Sequence, residues 1–258
     1  ILQILVPIDR YLNNSGIHRA YKLLRSFYKG SRILVFKKDL KAGYWSVPLA
    51  WEVDEAKLKS PKGKIIANYF RNPIEVMANS CSFVGKIKKK ELIKHLNYDK
   101  RRPTETLFHY RNQFRENIDE WGFSLPYNKV KKLPEGNYEV SIKTKLQKKN
   151  MLCAYYKKKG GIKDTLLLAS HFDHPYQAND NISGCAVGIE LMKKLSTIKN
   201  RYFSYTLLIA PELIGPIFWL NNKKNIKNFI GAIKLASVGN KAKLKLQYSF
   251  NKDSALDK

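Results

Sequence analysis

The chain has 258 residues, 44% hydrophobic and 12% aromatic, with 48 Lys+Arg against 21 Asp+Glu and a formal net charge of +27. That composition is globular, long enough for one large core or two modest ones, and excludes a low-complexity chain. The charge raises nucleic acid or an anionic membrane as a partner. However, the basic residues are mostly Lys and are spread along the whole chain, as on solvated faces, so nucleic acid is not expected.

The chain opens Ile1-Leu2-Gln3, with neither Met nor a basic-then-apolar signal pattern, and the expectation is that its start lies outside this sequence. Ile17 to Phe27 places Ile17, Ala20, Tyr21, Leu24 and Phe27 at helical spacing, with Asn14 or Ser15 as cap and Lys29-Gly30 as stop. Ile33 to Phe36 reads as a strand. Residues 1–42 are assigned to the core.

From 43 to 148 the pattern changes to short apolar segments around Trp45, Val47, Trp51, Val53 and Ile65-Ile66, broken by Pro48, Pro61-Lys62-Gly63 and Asn72-Pro73. These predict short strands and turns. The densest basic run, Lys86 to Lys90, reads as a solvated helix start. Helices are expected over Lys89 to Leu96 and Gln113 to Trp121, and a strand over Tyr138 to Ile142. This stretch is predicted to be a smaller α+β module.

From 149 to 258 strands alternate with helices. Met151 to Tyr156 and Thr165 to Ala169 are strands, and Cys185 to Leu195 is a buried helix capped by Asn181 or Ser183. Then follow a strand (Tyr205 to Ala210), a helix (Ile214 to Lys223) and a strand (Phe229 to Leu235). The alternation predicts an α/β fold with a mostly parallel sheet flanked by helices. Tyr205 to Leu220 is nearly apolar, but it is shorter than the ~20 residues of a helical span and contains Glu212 and two prolines, so no membrane span is expected. Cys81, Cys153 and Cys185 form no C-x-x-C pair. That argues against a disulfide framework or a Cys-ligated zinc and suits a reducing, cytoplasmic compartment.

Chemistry concentrates in Thr165 to Gly184, TLLLASHFDHPYQANDNISG. His171, Asp173, His174 and Asp180 gather where a buried strand meets the next helix, and Glu212 ends the following strand. Ligand sites of open α/β sheets lie beyond such strand ends. His171 and Asp173 are two apart and point the same way if the strand continues, so His171 could ligate a metal while Asp173 accepts its other ring N–H. Asp180, near a helix start, could bridge two cations, and a His with carboxylates suits zinc with an open position for water. Taken singly, His171 is a loop histidine and Asp180-Asn181 a helix cap; it is the joint arrangement that points to metal. There is no G-x-G-x-x-G, no G-x-x-x-x-G-K-[ST], and around Ser183 no G-x-S-x-G.

At these residues the chain resembles the zinc-dependent aminopeptidase superfamily with two co-catalytic zinc ions, in which a strand ends His-x-Asp and Asp-Asn-x-Ser-Gly opens a helix. Here these are His171-Phe172-Asp173 and Asp180-Asn181-Ile182-Ser183-Gly184. More closely, it resembles a bacterial aminopeptidase-like family associated with surface-polysaccharide genes, through His174-Pro175, Ala178 to Gly184, Pro211 to Gly215, Trp121 to Leu125 and Leu235 to Gly239. The resemblance implies a phosphorylase/hydrolase-type core, one or two zinc ions and a peptide or amide substrate. It also implies residue roles: His171 a ligand, Asp180 the bridging ligand, Asp173 the group orienting His171, and Glu212 a ligand or general base. The chain departs from the pattern at three points. Pro211-Glu212 stands for Glu-Glu, Ala236 or Ser237 for an Asp ligand, and no His follows His174. Either the rest of the sheet lies outside this sequence or the second metal position is lost. Two functions are therefore expected: a zinc aminopeptidase-like hydrolase, or a degenerate aminopeptidase-fold module in surface-polysaccharide biosynthesis.

Overall fold

A computed structural model of the chain describes residues 1–110, 119–221, 223–254 and 256–257. They form two compact units: residues 1–10, 16–47 and 150–258, and residues 11–15 and 48–149. The helix expected over 113–121 falls mostly on residues outside those described; Asp119 to Trp121 have no regular structure.

In chain order the larger elements are α1 (Ser15–Phe27), β1 (Arg32–Phe36), β2 (Ala50–Lys59), β3 (Ile65–Asn68), β4 (Phe83–Lys88), β5 (Asn137–Gln147), β6 (Met151–Lys158), β7 (Thr165–His171), α2 (Ser183–Thr197), β8 (Ser204–Ala210), α3 (Ile214–Asn221) and β9 (Phe229–Lys234). In the smaller unit the order β3-β2-β5-β4 forms an antiparallel sheet. Its buried face carries Ala56, Leu58, Tyr138, Val140 and Ile142 at alternating positions. Lys86 and Lys88 lie on β4, not at a helix start, and the helix begins at Lys89. Both lysines point to solvent on an edge strand, where charge discourages further strand pairing.

In the larger unit the sheet order is β1-β6-β8-β7-β9. Pairs β7/β8 and β7/β9 are parallel, whereas β1/β6 and β6/β8 are antiparallel. The fold is α/β as expected, but the sheet is mixed rather than mostly parallel. Apolar runs report that a strand is buried, not which way it runs. The more than one hundred residues between β1 and β6 leave the direction of that pairing to tertiary contacts. β8, buried along nearly its whole length, is the centre of the sheet. Against the sheet pack Ile17, Ala20, Tyr21 and Leu24 of α1, and Cys185, Ile189 and Met192 of α2.

This topology builds the site. β7 lies between β8 and β9, all three running the same way, so the chain segments leaving their carboxyl ends converge. Gly184, in the first turn of α2, passes so close to the Leu235 carbonyl beyond β9 that a Cβ there would overlap it. A glycine is therefore required to bring the helix start over the strand ends.

Candidate metal centre

His171 is the last residue of β7, and its side chain is buried. Pairing in register with Ala210 sets it beside Glu212, two residues past β8. After Glu212 the chain turns through Leu213, which has a left-handed φ of 58°, a conformation that costs energy in a non-glycine residue. Pro175 ends the extended run after β7, and the turn there carries His174 back over the site.

Two imidazoles are held between two carboxylates. His171 Nε2 lies 2.8 Å from Asp180 Oδ1, and His171 Nδ1 3.8 Å from Glu212 Oε1. His174 Nδ1 lies 3.3 Å from Asp180 Oδ2, and His174 Nε2 3.4 Å from Glu212 Oε2. The rings meet edge to face with centroids 4.8 Å apart. One ligand atom each from His171, His174 and Glu212 lies within 4.8 Å of the others. Two imidazole nitrogens and a carboxylate suit zinc and leave a coordination position open. Of the expected ligands, His171 and Glu212 belong to this group, whereas Asp180 lies outside it and touches both rings. His174 completes the group.

These contacts set the charges. Burial disfavours the His174 imidazolium, but Asp180 and Glu212 outweigh it and raise its pKa to about 10. The hydrogen bond from His174 holds Glu212 down at about 2, with Lys234 helping, and His171 then His174 hold Asp180 well below the usual carboxylate range. Without a metal the site is thus closed by its own ion pairs, and a metal must displace a proton to enter.

The support beneath the ring is specific. Asp173 is fully buried, and its Oδ1 accepts the Glu212 backbone N–H at 2.7 Å. The ring nitrogens of His171 meet Asp180, Glu212 and Asn181, while Asp173 holds the Glu212 backbone and its charge helps to raise the pKa of His174. Asn181 joins three segments. Its Nδ2 donates to Ser170 Oγ and to the Leu235 carbonyl, each at 2.8 Å, and its Oδ1 accepts from Gly184 N at 3.3 Å and Ser237 N at 3.0 Å. Asn181 thus accepts from the first turn of α2, although the residue at the cap position is Ile182, which makes no side-chain capping bond. Ser183, the alternative cap, instead donates to the Asn179 carbonyl at 2.7 Å. The peptide between Asp180 and Asn181 is cis. Arg10, fully buried, donates to the Phe172 carbonyl at 3.0 Å and the His174 carbonyl at 2.5 Å and also to Leu5, so it clamps the turn that carries His174.

Sequence reasoning named His174 but gave it no role, and it passed over Arg10. On a continuing strand a residue three past His171 faces the other way; only the turn at Pro175 brings His174 back. The signal was the H-x-x-H spacing followed by Pro. Cys185, beside the site, donates to the His171 carbonyl at 3.2 Å, and burial pushes its thiol up to about 12, which leaves no thiolate for nucleophilic chemistry near neutral pH. Next to the ring is an apolar cavity of about 310 Å³, walled by Leu208, Leu213, Ile217 and Leu220 and bounded by Glu212 and Lys234. Among the described residues no helix is long and apolar enough to cross a membrane.

The chain is similar to known proteins over most of its length. A Clostridium acetobutylicum protein, provisionally named a polysaccharide biosynthesis protein with an aminopeptidase-like domain, is 30% identical over 245 residues, 93% of this chain and 54% of its own length. A crystal structure of a C. acetobutylicum protein, provisionally named a peptidase, superposes with a TM-score of 0.91 at 28% identity, covering 99% of this chain and 60% of that one. The zinc aminopeptidase BSAP from Bacillus subtilis shares the fold at a TM-score of 0.62 and 12% identity, covering 92% of this chain and 67% of that one. The chain thus spans about half the length of the curated relative it matches. A family profile matches residues 1–258 throughout, and the chain belongs to that family, described as a domain of unknown function (DUF4910).

Proposed function

We propose that the chain is the metal-binding portion of a zinc-dependent aminopeptidase-like hydrolase acting on a peptide or amide bond in a reducing, cytoplasmic compartment. The observation that carries this reading is the pair of imidazoles held between Asp180 and Glu212 at the ends of two parallel strands. His171, His174 and Glu212 would hold one zinc, with Asp180 as a further ligand or the bridge to a second. Zinc in such a set supplies Lewis acidity that brings the pKa of water down to about 7. Glu212, when not serving as a ligand, would take and return the proton. Asp173 holds the Glu212 backbone in place, and the apolar cavity beside Glu212 would seat an aliphatic group of the substrate.

The test is zinc content by elemental analysis, followed by cleavage of aminoacyl-anilide substrates with and without chelator. The expected result is at least one zinc per chain, and hydrolysis that chelation removes and zinc restores. Absence of bound metal with His171, His174 and Glu212 intact would sink the reading.

A second reading, a non-catalytic aminopeptidase-fold module in polysaccharide biosynthesis, is favoured by Lys234, whose ammonium stands 3.0 Å from Glu212 where a metal cation would otherwise compete. The name of the C. acetobutylicum relative agrees with it. It expects weak or no zinc binding, no turnover, and an unchanged phenotype for His171→Ala.

A further inference from the structure

We propose that a second cavity, formed by β1, β6, α3 and the start of β9, binds an acidic sugar: a pyranose ring bearing a carboxylate or a phosphate. It measures about 310 Å³ and is lined chiefly by Arg32, Phe36, Tyr155, Trp219 and Phe229. It shares no lining residue with the cavity beside Glu212.

Three observations point to this ligand. First, the aromatic rings meet at open angles. Tyr155 and Trp219 have centroids 6.3 Å apart and planes 39° apart; for Trp219 and Phe229 the values are 5.3 Å and 69°. The result is a concave aromatic wall, suited to the C–H face of a puckered ring, rather than a parallel slot for a flat base.

Second, Arg32 is exposed and stands directly opposite Tyr155 in the strand register, with no carboxylate partner among the described residues. No acidic residue lines the cavity. A guanidinium fork there is a receptor for a planar carboxylate or a phosphate.

Third, Trp219 and Tyr155 are half-buried residues whose indole N–H and hydroxyl make no hydrogen bond to the described residues. By contrast, the Trp51 N–H donates to the Ser80 carbonyl at 3.0 Å and the Tyr138 hydroxyl to the Pro134 carbonyl at 2.7 Å. The free pair matches sugar hydroxyls. A neutral sugar would leave Arg32 unanswered.

The test is titration of the protein with glucuronate and with glucose 6-phosphate, followed by tryptophan fluorescence and calorimetry. Glucose and adenosine monophosphate serve as comparators, and the series is repeated with EDTA to silence the metal centre. At least one acidic sugar should bind about tenfold more tightly than glucose, with or without EDTA. Whichever of the two binds identifies carboxylate or phosphate as the anion. Arg32→Gln, at an exposed strand position, should keep its unfolding midpoint and lose that tenfold preference while glucose binding stays the same. Trp219→Ala should weaken all sugars. The proposal is overturned if neither acidic sugar saturates at millimolar concentration, if Arg32→Gln leaves the preference intact, or if the nucleotide binds more tightly than both.

Discussion

Lys234 Nζ lies 3.0 Å from Glu212 Oε1, the two side chains meeting over the end of β7 from the strands on either side of it. The ammonium therefore competes with any metal for the same carboxylate. The pair is partly exposed, so its contribution is in the range of about 0–1 kcal/mol. Lys234→Met should raise zinc affinity about two- to fivefold in a competition titration with a chelator. A fall in affinity would instead make Lys234 the group that positions Glu212.

The pH dependence follows from the ion-pair ring. His174 is raised from 6.5 to about 10, so its contribution to stability is complete below 6.5 and is lost as pH rises toward 10. Glu212 is lowered from 4.5 to about 2 and Asp180 is lowered too, so their contribution is present above about 4.5 and is lost as pH falls. Metal-free protein should thus be most stable between about pH 5 and 6.5. Added zinc should raise the unfolding temperature more at pH 8 than at pH 6, because protons compete with it. Thermal unfolding across pH, with and without chelator, measures both; His174→Gln should flatten the alkaline limb of the chelated protein.

Arg10 is buried and donates to the Phe172 and His174 carbonyls. Arg10→Leu would leave those acceptors unpaired, at a cost of roughly 2–4 kcal/mol in urea unfolding. Because the clamp holds the turn bearing His174, zinc affinity should fall with stability. Unchanged zinc affinity in the folded variant would show that the turn holds its own shape.

Gly184→Ala should destabilise by roughly 1–3 kcal/mol, since its Cβ would press on the Leu235 carbonyl and on Asn181. Chemical denaturation measures this, and a neutral result would mean that the helix start can shift at no cost.

Much of the larger unit was legible in the chain. The apolar run of β7, its stop near Pro175 and the helix opening at Ser183 follow from local rules, and so does the gathering of His171, Asp180 and Glu212 at strand ends. Two features of this unit were not legible. The antiparallel direction of β1 and β6 depends on a long connection rather than on periodicity. Asp173 was read as the partner of His171 on the assumption of a continuing strand. Once the strand ends, its carboxylate turns inward to the Glu212 amide.

His174 shows most clearly where local reading stops. By itself, the sequence determined the residue types of a candidate metal centre and the elements that carry them, because hydrophobic periodicity and Pro/Gly punctuation act over a few residues. Only the tertiary structure decided which of those residues face one another. His174 meets Glu212 through a turn, a buried Arg10 far away in the chain and the parallel pairing of β7 with β8, and such contacts between distant segments leave no local pattern.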